Sequence, residues 1–302
     1  MKIKKILLLS GGPSRERKVS ISSGKAVYHA LRQLKYNVVR VDPSPQYFNF
    51  NKYNCDIAFN ALHGQFGEDG IIQSILEKQK IPYTHSGVKS SATAMDKLKS
   101  KKKFIINNIK TPKFKIIKKL SDLNNKISIN KFVLKPINEG SSVGVLIYKN
   151  IKDISQSKIK DCLNKYKQLL QEEFIEGKEV QAAVMGNKAI GAIEIRPNRK
   201  FYDYNAKYSL KAKTKHIMPA AIEKKTYQKV LQIALKAHKC LKCKGITRSD
   251  FRVTADNKIF ILETNTQPGM TNLSLVPEIA EYKGISFKEL VKWIVLDASL
   301  NR

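Results

Sequence analysis

The sequence predicts an α/β fold that opens with a parallel α/β layer, and three observations carry that expectation. Short apolar or β-branched runs alternate with amphipathic stretches over roughly the first 90 residues. Glycine-bearing loops follow several of the strand-like runs, and the later half holds paired runs separated by turn residues.

Lys5 to Leu9 is an apolar run of strand length, ended by a Gly11-Gly12-Pro13-Ser14 loop. A helix follows, with apolar positions Val19, Ile21, Ala26, Val27, Ala30 and Leu31. Asn37 to Val41 is a second strand at the distance a βαβ crossover needs, and Asp56 to Asn60 is a third. That strand runs into the glycine-rich loop Leu62-His-Gly-Gln-Phe-Gly-Glu-Asp-Gly70 and then an apolar helix from Ile71 to Glu77. Loops after parallel strands gather on one edge of such a layer, where ligands sit.

Ser91 to Asn108 reads as one helix, broken at Thr111-Pro112. Lys131 to Pro136 and Gly144 to Tyr148 read as strands joined by Ile137-Asn-Glu-Gly-Ser-Ser-Val143. With no helix after the loop, this is not a Walker arrangement. The amides of Gly140 to Val143 are nevertheless suited to lie over phosphates, with Lys135 at the strand end to meet them. Lys152 to Leu170 reads as helical, and Gln171 to Val180 carries acids on both sides of a glycine turn. Strands from Val180 to Met185 and Ala189 to Ile195 follow. The polar segment from Pro197 to Pro219 has no clear periodicity; such a segment is a lid or is disordered, and its aromatics favour a lid. Tyr227 to Lys244 reads as a helix.

Ile246 to Val253 and the run from Ile261 form a hairpin around Asp256-Asn257, which brings Asp250 opposite Glu263. Glu263 and Asn265, two apart on a strand, face one side. Asp, Glu and Asn with no nearby His or Cys form a hard-oxygen set suited to magnesium shared with nucleotide phosphates. The plainer reading is a solvated strand face.

At 302 residues and 42% hydrophobic content, the chain is long enough for two or three domains with real cores. The apolar run near Met1 is too short for a signal peptide, and no stretch reads as a transmembrane span. A formal net charge of +31 raises the alternative of a nucleic-acid-binding protein. However, only nine of the 56 basic residues are Arg, and the lysines are scattered rather than gathered in a stripe, so no nucleic-acid partner is expected. The densest cluster, Lys99 to Lys103, reads as a solvated helix face, with a phosphate contact as the alternative. Cysteines 55, 162, 240 and 243 are expected to be reduced, in a cytoplasmic protein. Cys240 and Cys243 form a lone CxxC inside a helix, where zinc would lack further ligands.

Seven motifs in order carry a resemblance. They are Gly11-Gly-Pro-Ser-Arg-Glu-Arg-Lys-Val-Ser20, His63-Gly-Gln-Phe-Gly-Glu-Asp-Gly70, Met95-Asp-Lys97, Lys135-Pro with Glu139-Gly-Ser-Ser-Val-Gly144, Tyr202-Asp-Tyr-Asn-Ala-Lys-Tyr208, Arg248-Ser-Asp250 and Glu263-Thr-Asn265-Thr-Gln-Pro-Gly-Met-Thr271. Together they closely resemble the D-alanine–D-alanine ligases of the ATP-grasp superfamily, from Lys5 to about Lys292. The resemblance implies a three-domain ATP-grasp fold: residues 1–90 for substrate, 91–175 central, and 176–302 catalytic with a lid at 197–219. It also implies a homodimer, ATP and D-alanine as substrates, and two magnesium ions for which manganese can substitute.

By match to the family motifs, Asp250, Glu263 and Asn265 would ligate the metal, and Lys97 and Lys135 would hold phosphate oxygens. Glu172, the Ile175 backbone and Glu179 would bind adenine and ribose. Glu16 would accept the ammonium of the first D-alanine, with His63 near its carboxylate or the acylphosphate. Arg248 and the Gly269 amide would neutralise the oxyanion, a role suited to a permanent, forked cation. Ser274, the Leu275 amide and Lys207 would bind the second carboxylate. Ser141 and Tyr208 would link to Glu16 and close the lid against water.

Each role has a plainer rival: Glu16 favouring a helix dipole, His63 in a turn, Tyr208 packing on a sheet, and Lys97 on a solvated helix face. Two positions depart from the family pattern. Asn205 stands where many members carry Glu, and Glu173 where a basic residue is common. A ligase taking D-lactate or D-serine second is the alternative within the class, and Tyr208 argues against the lactate form.

Overall fold

In the computed structural model, Lys5–Leu9 (β1) is the middle strand of a parallel sheet ordered β2-β1-β3, between Asn37–Val41 (β2) and Ile57–Asn60 (β3). The structure describes residues 3–43, 49–123, 127, 130–196, 214–271 and 273–302. Every residue of β3 is buried, as parallel strands covered on both faces require. Arg17–Gln33 (α1) makes the crossover and buries Val19, Val27, Ala30 and Leu31, while Ile21 is left exposed. Ile71–Lys78 (α2) follows the glycine-rich loop as expected.

The expected single helix from Ser91 to Asn108 is two. Val88–Met95 (α3) ends where Asp96 takes an extended conformation, and Lys97–Ile106 (α4) begins there. Asp96 caps the second helix by accepting the Lys99 amide, satisfying a donor that a helix start would otherwise leave open.

A second sheet is antiparallel and ordered β4-β7-β5-β6, from Phe114–Ile117 (β4), Phe132–Pro136 (β5), Leu146–Tyr148 (β6) and Leu169–Glu173 (β7). The helix expected to reach Leu170 is shorter, Gln156–Tyr166 (α5), because Leu169 onward pairs with β4 and β5 instead.

The third sheet has Lys178–Met185 (β8), Lys188–Arg196 (β9), Lys215–Ile217 (β10), Ile246–Val253 (β11) and Ile259–Asn265 (β12), ordered β10-β9-β8-β11-β12. The expected β11–β12 hairpin forms, with Asp250 and Glu263 as register partners and Asn257 in the left-handed region of its turn. Of the expected lid, residues 214–219 are described and include β10; residues 197–213, with Asn205, Lys207 and Tyr208, lie outside the described residues.

Lys224–Cys240 (α6) packs on the third sheet through Val230, Ala234 and Ala237. Ala94 of α3 and Phe104 of α4 join that same core. Leu275–Tyr282 (α7) and Phe287–Leu296 (α8) close the chain, the latter started by a reciprocal Ser286–Glu289 capping box. Their apolar faces join Ile6, Leu8 and Phe59 of the first sheet to Ala183, Ile193 and Ile246 of the third in one core. The loops after β3 and β12 are thereby held side by side. Among the described residues, no helix is long and apolar enough to cross a membrane. The cysteines form no disulfide, and burial pushes the Cys240 and Cys243 thiols up to about 11 and about 12, away from the thiolate a metal or redox pair needs.

Candidate active site

Two cavities meet where the three sheets converge. The first, an open cleft, lies between the second and third sheets and is lined by Lys97, Lys135, Glu172, Ile175, Glu179, Asp250 and Glu263. The second is lined by Glu16, His63, Lys97, Ser141, Arg248, Glu263, Asn265 and Gly269. Lys97, Glu139, Gly140 and Glu263 line both, so the two spaces share a wall.

Lys97 reaches that wall because Asp96 fixes the start of α4 and because its own amide bonds to the Ile137 carbonyl. Its ammonium stands 3.4 Å from Glu263 and donates to the Glu139 carbonyl. Lys135, at the end of β5, is 2.8 Å from Glu172 Oε2. A residue that sequence reasoning assigned to the solvated face of its helix completes this group. Lys101 is fully buried, one turn beyond Lys97, and lies 2.9 Å from Glu172 Oε1. Burial works to raise the Glu172 carboxyl, but Lys101 and Lys135 outweigh it and hold it below the ordinary carboxylate range. Lysines also stand at 97, 99, 102 and 103, so no local signal in the sequence singles out Lys101 as the one that turns inward.

Glu179 is 2.9 Å from Arg252, a second residue that sequence reasoning missed. Arg248 grips Asp250 with two donors, at 2.8 and 3.1 Å. Asp250 and Glu263 therefore each have a cation beside them. Asn265 Oδ1 accepts the Gln267 amide at 2.7 Å.

The loop between β5 and β6 brings Ser141 against the first sheet, where its hydroxyl donates to Glu16 Oε2 at 2.7 Å. Ser141 and Ser142 have φ of 49° and 62°, a region uncommon for non-glycine residues and frequent at functional sites. Gly140 packs so closely that a Cβ there would stand 2.7 Å from Glu16 Oε1. Glu16 itself opens α1, buried beneath this loop. His63 is held from both ring nitrogens, by Glu68 at 2.9 Å and Ser23 at 3.1 Å. The buried Asn60 amide donates to Gln267 Oε1 at 2.7 Å and ties the His63 loop to the loop bearing Gly269.

Ser274 and Leu275 line neither cavity. Ser274 precedes α7 and accepts the Thr271 amide at 2.9 Å, close behind Gly269. Lys207 and Tyr208 lie outside the described residues.

No group of three or more His, Cys, Asp or Glu side chains that could hold a metal is found among the described residues. Asp250 on the first cavity, Glu263 on both and the Asn265 amide on the second nonetheless form an all-oxygen set where the two spaces meet. That set fits a hard cation whose remaining ligands are phosphate oxygens.

The family description "D-ala D-ala ligase C-terminus" matches residues 104–296, and "D-ala D-ala ligase N-terminus" matches residues 42–86. The chain belongs to the D-alanine–D-alanine ligase family. It is 52% identical to the D-alanine–D-alanine ligase of Pelagibacter ubique, over 99% of each chain. It is 48% identical to that of Wolbachia pipientis wMel, over 97% of this chain and 94% of the relative.

Among solved structures, the D-alanine–D-alanine ligase from Bacillus anthracis matches at 32% identity with a TM-score of 0.84, over 97% of each chain. A form of that enzyme complexed with ATP matches at 31% identity and a TM-score of 0.82, over 98% of this chain and 97% of that one. The VanG D-Ala:D-Ser ligase from Enterococcus faecalis matches at 26% and 0.84, over 97% of this chain and 99% of that one. The fold is the mixed α/β arrangement of the ATP-grasp ligases.

Proposed function

We propose that this chain joins two D-alanines into D-alanyl-D-alanine at the cost of ATP, through a D-alanyl phosphate, in cytoplasmic peptidoglycan precursor synthesis. The observation that carries the reading is the wall shared by the two cavities. A nucleotide in the first puts its terminal phosphate against a carboxylate in the second, as the first chemical step demands.

In that step a carboxylate oxygen of the first D-alanine bonds to the γ-phosphorus and the bond to ADP breaks. The amine of the second D-alanine then attacks the acyl carbon, and phosphate leaves with one former carboxylate oxygen. Lys97 and Lys135 hold phosphate oxygens, and Glu172, the Ile175 backbone and Glu179 receive adenine and ribose. Glu16, oriented by Ser141, accepts the first ammonium, and His63 sits by the first carboxylate. Arg248 and the Gly269 amide face the charge that develops at the acyl carbon. Ser274, the Leu275 amide and Lys207 take the second carboxylate, and Tyr208 belongs to the cover that keeps water from the acylphosphate.

Asp250, Glu263 and Asn265 would hold magnesium, which supplies charge neutralisation of the phosphates when bound. The domain limits 1–90, 91–175 and 176–302 and a homodimer belong to the same reading.

The test is ADP release with ATP and magnesium, coupled to product identification, with D-alanine alone, L-alanine alone, and D-alanine plus D-lactate or D-serine. Dipeptide from D-alanine alone supports the reading. D-serine is included because one structural relative is a D-Ala:D-Ser ligase. Folded protein that yields no product with any D-amino acid would overturn it.

A further inference from the structure

Lys101 has no role in the mechanism above, yet it is wholly buried and its ammonium lies 2.9 Å from one oxygen of Glu172. The other oxygen of Glu172 is 2.8 Å from Lys135. One carboxylate is thus shared by two ammonium groups, and of those two only Lys135 lines the cleft read as the nucleotide site. Burying an amine for packing alone is unfavourable, since an apolar side chain of similar length would fill the space without the desolvation cost.

We infer that Lys101 is a positioning residue for the nucleotide: by taking up part of the Glu172 charge it leaves Lys135 positive towards a phosphate and fixes the Glu172 carboxylate beside the base. The inference rests on the proposed nucleotide site and adds a residue to it.

The surroundings of Lys101 support this. Glu172 on β7 and Lys135 on β5 face it, Glu263 on β12 contributes charge, and the Phe114 ring on β4 lies 5.6 Å away. Its ammonium also donates to Thr111 Oγ1 at 2.6 Å, and that hydroxyl donates to the Ile261 carbonyl. Burial drives the Lys101 pKa down to about 8; Glu172 and Glu263 oppose the fall and Lys135 adds to it. With Lys101 charged, the three side chains carry one positive charge in excess. When Lys101 loses its proton, Glu172 neutralises Lys135 and the excess disappears.

The experiment measures ATP binding with magnesium and without D-alanine from pH 7 to 9.5, in the full chain and in Lys101→Met, with the KM for D-alanine alongside. The expected result is an ATP Kd about tenfold weaker in Lys101→Met at pH 7, with the D-alanine KM unchanged. Wild-type affinity should fall as pH rises through about 8, by more than that of Lys101→Met. Lys101→Arg, which keeps its charge throughout, should restore affinity and remove the fall.

A folded Lys101→Met that binds ATP as tightly as wild type overturns the inference. So does a folded Lys101→Gln with wild-type ATP affinity, the variant that decides the matter if Lys101→Met fails to fold. Wild-type protein that binds no ATP at any pH overturns the nucleotide site and this inference together. Normal binding that is insensitive to both pH and substitution overturns the role of Lys101 alone.

Discussion

Asp250 and Glu263 are direct register partners on adjacent antiparallel strands, so their carboxylates leave the sheet on one face. Each is held beside its own cation, Arg248 for Asp250 and Lys97 for Glu263. In the proposed reaction these two carboxylates, with the Asn265 amide, would offer oxygen ligands to a divalent cation arriving with the phosphates.

Glu263→Gln keeps the shape and removes the charge. Turnover should fall about a hundredfold or more, with the fold unchanged by circular dichroism. Activity close to wild type in the folded variant would show that the metal site is misplaced.

The Ser141–Glu16 bond joins residues far apart in sequence, at 2.7 Å. Hydrogen bonds to charged groups are worth about 1.5–3 kcal/mol, so Ser141→Ala should lower kcat/KM for D-alanine about tenfold or more. ATP binding, measured separately, should not change. An equal loss in ATP binding would place Ser141 on the nucleotide rather than on the substrate side.

Tyr208→Phe should raise ester formation from D-lactate relative to peptide formation, read as the product ratio in mixed-substrate assays. The hypothesis is that the phenol favours an amine nucleophile, and an unchanged ratio counts against it.

Much of this was legible in the sequence because it depends on local pattern. The first sheet, the β11–β12 hairpin and the Asp250–Glu263 pairing follow from apolar runs and turn residues that a period of two makes readable. Leu169–Glu173 was hidden because its two apolar residues extend the preceding helical pattern, and only pairing on both sides makes it a strand. The break at Asp96 was hidden because no Glu or Gln follows at the position that completes a capping box. Lys101 was hidden by composition: among neighbouring lysines, nothing local says which one turns inward. The Asn60–Gln267 bond lies between residues 207 positions apart, beyond any pattern in either segment.

Two buried histidines predict a stability loss in acid. Burial lowers the pKa of His85 to about 3 and of His238 to about 4, below the ordinary 6.5. Both are therefore neutral when folded and take up protons on unfolding below that ordinary value. Their stabilisation is present above about pH 6.5 and is lost as pH falls towards 4, with a slope approaching about 1.4 kcal/mol per pH unit for each. His238→Gln should reduce the slope of unfolding free energy against pH by about one such share, measured by denaturant unfolding from pH 7 to 4.5. An unchanged slope would mean that His238 is not neutral in the folded protein.

In the proposed reaction a D-alanine carboxylate is phosphorylated across the wall shared by the two cavities, and the acyl group then passes to an amine with release of phosphate. The most direct measurement uses D-alanine labelled with oxygen-18 in its carboxylate, with ATP and magnesium, and follows the label by mass spectrometry. One labelled oxygen is expected in each inorganic phosphate formed with D-alanyl-D-alanine. Dipeptide accompanied by unlabelled phosphate would contradict it.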